Sequence, residues 1–68
     1  MTENNRDVRM ATVAQSKAEQ GDAEDQYLLA GYYEKGKGVE VDHKKAFFWY
    51  EKAAKQGHAG AQYGLSIC

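Results

Sequence analysis

With one cysteine among its 68 residues, Cys68, the chain can form no internal disulfide, a usage that fits a reducing compartment. No apolar run approaches the roughly 18 residues of a transmembrane helix. The opening MTENNRDVRM is polar where a secretory leader would be hydrophobic, so a cytoplasmic location is expected. Neither sign of charge is in excess. Nine Lys and Arg against ten Asp and Glu leave a formal net charge of −1, which favours neither nucleic acid nor an anionic membrane surface.

The residues of catalysis and metal binding are equally sparse. His43 and His58, fifteen positions apart, are the only histidines, with no CxxC or HExxH spacing around them. Nothing brings three or four ligands together, so no metal and no cofactor is expected, and both histidines read as exposed helix-start residues. Ser16 and Ser66 have no histidine at helical reach, and Cys68 lies at a chain end without a cation or helix N-terminus to activate it. Gly36-Lys37-Gly38 lacks the preceding strand of a phosphate-binding loop and is read as a turn. A chain this short buries only about 60% of its unfolded surface, so a large independent core is not expected.

What the chain does have is self-similarity. A shift of 36 positions lays Ala18, Gln20, Gly21, Ala23, Gln26, Tyr27 and Leu29 on identical residues, Ala54, Gln56, Gly57, Ala59, Gln62, Tyr63 and Leu65. A period of about 20 to 50 residues marks a stacked solenoid, in which each unit needs a neighbour to bury its apolar face. Function in such a chain is argued from a surface.

The full unit, residues 22–57, reads as two amphipathic helices. Asp22 and Asp42 are placed to cap them, Gly36 and Gly38 to turn between them, and Gly57 to stop the second. At about 100° per residue, Ala23, Gln26, Tyr27, Leu29, Ala30 and Tyr33 share one side of the first helix. In the second, Ala46, Phe47, Trp49, Tyr50, Ala53 and Ala54 share a wide face, while Lys44, Glu51, Lys55 and Phe48 point away. Small residues at Ala30, Ala46 and Ala53 beside the rings of Tyr33, Trp49 and Tyr50 follow the logic of a packed core.

These residues resemble the Sel-one-like repeat, a branch of the tetratricopeptide-like helical repeats. The resemblance rests on Ala23, Gln26, Leu29 and Tyr33, on the turn Gly36-Lys37-Gly38-Val39, and on Asp42, Lys45-Ala46, Trp49-Tyr50, Lys52-Ala53-Ala54 and Gln56-Gly57. Departures are Ala30 and Ser66, where that family usually has glycine, and Asp25, where it usually has alanine. The resemblance implies an all-α superhelix of helix-turn-helix units and a non-enzymatic adaptor or scaffold that binds protein or peptide on a concave face. Relatives linked to β-lactam hydrolysis carry paired cysteines in every repeat, which this chain lacks, so a hydrolase is the remotest reading.

The expected organisation is a disordered or frayed lead over 1–6 and a degenerate second helix of a preceding unit over 7–21, acting as a cap with Val8, Met10, Ala11, Val13, Ala14 and Ala18 as its apolar face. A complete repeat follows over 22–57, then the first helix of a truncated next repeat over 58–68, with one apolar face uncovered. Leu28 and Tyr32, four apart on the outer side of the first helix with Gly31 between them, are the candidate contacts for a peptide or helix, and Glu24, Asp25 and Lys35 the charges that select it. The competing readings are packing of Leu28 and Tyr32 against an adjacent unit, and a structural piece of a longer array or a homo-oligomer joined through the uncovered helix.

Overall fold

The computed structural model describes residues 2–67, with side chains from 6 to 67. Within that span it contains four α-helices and no strand: α1 (Thr2–Glu19), α2 (Ala23–Lys35), α3 (His43–Lys55) and α4 (Ala59–Ile67). Each helix packs on its chain neighbours, α1 on α2, α2 on α3 and α3 on α4, in a slab of 36 × 23 × 15 Å. This is the all-α repeat architecture expected from the 36-residue period.

The helix ends follow the local chemistry. The Asp22 carboxylate accepts from the Asp25 backbone N–H at 3.1 Å, and the Asp42 carboxylate accepts from that of Lys45 at 3.0 Å. Each satisfies one donor that the first helical turn leaves open. At the other end of α2, Gly36 takes φ 71° and its N–H donates to the Tyr32 carbonyl. Antiparallel pairing follows from two contacts. Gln56 at the end of α3 reaches back to the Gly21 carbonyl at 3.0 Å, and Gly38 in the turn lies against the Asp7 backbone near the start of α1.

The core is the expected one in its centre. Leu29, Ala30 and Tyr33 of α2 are buried against Ala46, Trp49, Tyr50 and Ala53 of α3, with Ala14 and Ala18 of α1 and Ala61 of α4 closing the ends. Leu29 is the largest side chain with essentially no exposure. Phe48 faces outward as expected, its edge against Trp49 and the Lys52 ammonium 5.4 Å from its ring centre.

Four expectations need correction. α1 begins at Thr2, so residues 2–6 are helical rather than disordered, the backbone ladder being continued toward the N-terminus, and Met1 lies outside the described residues. Among the described side chains of α1 only Ala11, Ala14 and Ala18 are buried, whereas Val8, Met10 and Val13 are exposed, because a single neighbouring helix covers a narrow strip at spacings of three and four. Phe47 is exposed despite lying beside the core face of α3. Its counterpart one period earlier, Ala11, is buried in α1, so the position is core only where a following unit covers it. His58 is not an exposed helix-start residue; it is built into the junction described below. Cys68 lies outside the described residues.

Candidate functional site

The repeat period sets the junctions between units. Gln26 donates its side-chain amide to the Ala18 carbonyl at 3.0 Å, and 36 positions on Gln62 donates to the Ala54 carbonyl at 3.3 Å. Gln56 completes the inner junction by donating to Gly21 O and to Gln26 Oε1, each at 3.0 Å. Gln26 is buried, and its pairing removes the cost of an unsatisfied amide in the core.

His58 stands where Asp22 stands one period earlier and performs the same cap. Its Nδ1 accepts from the Ala61 backbone N–H at 3.1 Å, so in the neutral ring the proton sits on Nε2, which donates to Glu24 Oε1 at 3.1 Å. The ring also stacks on Tyr27, with centroids 4.6 Å apart and planes 25° apart. His58 therefore holds the start of α4 to the side of α2.

Two glycines of α4 allow the close approach that follows. A Cβ on Gly64 would lie 2.8 Å from Tyr50 Cε1, and one on Gly60 would lie 3.2 Å from Tyr27 Cε1. Between α1 and α2 the same contact has the opposite distribution of bulk. Ala14 replaces Tyr50, and Leu28 and Asp25 replace Gly64 and Ala61, so large and small residues exchange sides across equivalent junctions.

α4 docked in this way forms a groove of about 440 Å³ with α2. Tyr27, Leu28, Gly31 and Tyr32 line one wall and Gly60, Tyr63, Gly64 and Ile67 the other, with Tyr50 below and Glu34, Lys35 and Lys37 at one end. The Tyr50 hydroxyl donates to Glu34 Oε1 at 2.8 Å, which fixes that carboxylate against the wall. Of the five residues selected from sequence, Leu28, Tyr32 and Lys35 therefore come together here. Glu24 lies outside the groove, engaged with His58.

Asp25 lies on the far side of Leu28. With Leu28 and Tyr32 it lines a second, shallower hollow of about 290 Å³ against Arg9, Met10, Val13 and Ala14 of α1. Its carboxyl pKa is raised from its ordinary value by partial burial and then by the neighbouring Asp22 carboxylate. Leu28 and Tyr32 thus form a ridge with a hollow on each side, and the five residues make no single cluster. The second wall, Tyr63 and Ile67, was missed in the sequence reading. Its signal was the small pair Ala61 and Gly64 at the positions of Asp25 and Leu28.

Ser16, Ser66 and His58 are each engaged in local hydrogen bonds. The Ser66 hydroxyl donates to the Tyr63 carbonyl, Ser16 accepts from the Gln20 side chain, and His58 is committed to its cap and to Glu24. Among the described residues, no three His, Cys, Asp or Glu side chains gather as a metal site, and no helix is long and apolar enough to cross a membrane.

The Sel1 repeat family model matches residues 23–58, from the first residue of α2 to the cap of α4. The chitin synthase regulator SKT5 of Saccharomyces cerevisiae is 40% identical over 48 residues, which cover 71% of this chain and 7% of the yeast protein. No solved structure matches. With its hairpin and its glycine-lined turn inside the matched span, the chain belongs to the Sel1 repeat family.

Proposed function

We propose that the chain is a non-enzymatic interaction module that holds a peptide or helix in the groove between α2 and α4. Sel1 repeats generally serve protein–protein interaction. The observation that carries the reading is the groove itself: Leu28, Tyr32, Tyr63 and Ile67 present apolar surface from two walls that Gly31, Gly60 and Gly64 keep low, with Lys35, Lys37 and Glu34 grouped at one end. An apolar stripe suits the face of an amphipathic helix, and the charges at the end set its direction. The yeast relative is described as a chitin synthase regulator, but the chain spans 7% of its length, so that enzyme is not carried over as the partner. The single cysteine supports a cytoplasmic setting.

Tyr32→Ala is the test, because it removes a large ring from one wall while leaving the core of α2 intact. Truncation of a central aromatic at an interface costs about 2 kcal/mol or more, roughly a 30-fold loss of affinity. Quantitative capture from an extract of the source cells should show that loss for Tyr32→Ala with unchanged helicity by circular dichroism. Phe48→Ala, away from the groove, should bind as the parent chain does. Equal yields for Tyr32→Ala and the parent chain would remove the groove from consideration.

A further inference from the structure

We propose that the chain assembles head to tail, with α4 of one copy seated on α1 and α2 of the next, in the place of the first helix of a preceding unit. The repeat geometry supplies both halves of this contact. In the hairpin already formed within the chain, α2 packs on α3 through Gln26, Leu29 and Ala30 against Ala46, Trp49 and Gln56. One period on, the α2 positions are Gln62, Leu65 and Ser66 of α4; one period back, the positions of Ala46, Trp49 and Gln56 are Met10 and Val13 of α1 and Gln20 just after it. Each of these two faces lies without its partner among the described residues, and each is one side of an interface whose complete form the same molecule displays.

Exposure agrees with that assignment. Met10 and Val13 are 47% and 54% exposed, and Leu28 beside them is 38% exposed. On the opposite end Tyr63 and Ile67 are 69% and 61% exposed. α4 carries no charged residue between Ala59 and Ile67, so seating it on the α1–α2 hollow desolvates no ion of its own. The amide junction also continues. Gln20 of one copy occupies the place of Gln56, from which its side chain donates to Gly57 O and Gln62 Oε1 of the other copy as Gln56 donates to Gly21 O and Gln26 Oε1. Lys17 stands where Ala53 packs, so the contact between copies is looser than the internal hairpin. Two different surfaces meet, so the contact is heterologous and does not stop at two copies. Leu28, Tyr63 and Ile67 also line the groove, so the two surfaces overlap, but self-assembly needs no other protein and is read from the mass of the chain alone.

Complementation between blocked ends is the test. Val13→Asp closes the α1 face and Ile67→Asp closes the α4 face; both positions are exposed, and Val13→Lys with Ile67→Lys forms a second pair should either aspartate reduce helicity. Sedimentation equilibrium of the 68-residue chain should show an average mass rising with concentration through twice the monomer and beyond. Each single variant should remain monomeric over the same range, and an equimolar mixture of the two should form a dimer and nothing larger. A parent chain that stays monomeric to millimolar concentration would overturn the proposal, as would a mixture that fails to dimerise or a dimer unaffected by either change.

Discussion

Leu29→Ala is expected to lower the melting temperature by at least 10 °C and to leave much of the population unfolded at room temperature. Leu29 has no exposed surface and sits where α1, α2 and α3 meet, with Ala14, Ala18, Ala30, Ala46 and Ala53 in the same buried cluster. The alanines among these neighbours have nothing to swing into the space, and the rings of Tyr33, Trp49 and Tyr50 in the same cluster are held by their own packing, so the cavity persists. Deleting a buried leucine side chain costs about 2 to 5 kcal/mol, the larger figure applying where neighbours cannot relax. A domain of this length has roughly 3 to 10 kcal/mol of stability in total. About 1 kcal/mol moves the midpoint of such a small domain by roughly 4 to 8 °C. Thermal melting followed at the helical band of circular dichroism reads the effect, and a shift below about 4 °C would mean that Leu29 is not enclosed.

Gly38→Ala is expected to destabilise the fold nearly as much, by a different mechanism. Gly38 has φ 76°, where a Cβ costs about 1 to 2 kcal/mol. That cost alone would be shared by Gly57→Ala at φ 89°, where the added carbon meets nothing within 4 Å. At Gly38 the new carbon would instead overlap backbone, 2.6 Å from the Asp7 carbonyl carbon and 3.0 Å from the Val8 nitrogen. A backbone atom cannot rotate aside, so the turn and the start of α1 must separate. Chemical denaturation should therefore rank Gly38→Ala well below Gly57→Ala. Hydrogen exchange should show protection lost along α1 in the first variant only. Equal destabilisation of the two would contradict the contact between the turn and α1.

Most of the hairpin was legible because it is written in local chemistry. Asp22 and Asp42 announce helix starts, Gly36 announces an end, and the spacing of Leu29, Tyr33, Trp49 and Ala53 identifies the faces that meet. The 36-residue identities also pointed to stacking, and the glutamine junctions at Gln26 and Gln62 realise it in atoms. The exposed Phe47, Met10 and Val13 show where that reasoning stops. Periodicity tells which side of a helix a residue occupies, but burial needs a second element on that side, and among the described residues none covers these positions.

The candidate site was legible only in part for the same reason. Leu28 and Tyr32 stood out as apolar residues on the outer side of α2, yet the opposite wall is α4, whose approach depends on Gly60 and Gly64 meeting Tyr27 and Tyr50. Glu24 was assigned to partner selection from its position on the same helix, whereas His58, 34 residues away, engages it. His58 itself was hidden by residue type. Histidine is an unusual helix cap, and only its alignment with Asp22 by the repeat shift indicates the role.

The enclosure of Trp49 tests the whole account most directly, because this sole tryptophan lies at the α2–α3 interface from which the groove and both end faces are positioned. Acrylamide quenching of its fluorescence should be several-fold weaker than for free tryptophan. The emission should be blue-shifted, and both should revert together with helicity in denaturant. Quenching as efficient as that of the free amino acid, in a chain that remains helical, would show the indole in water and the hairpin open.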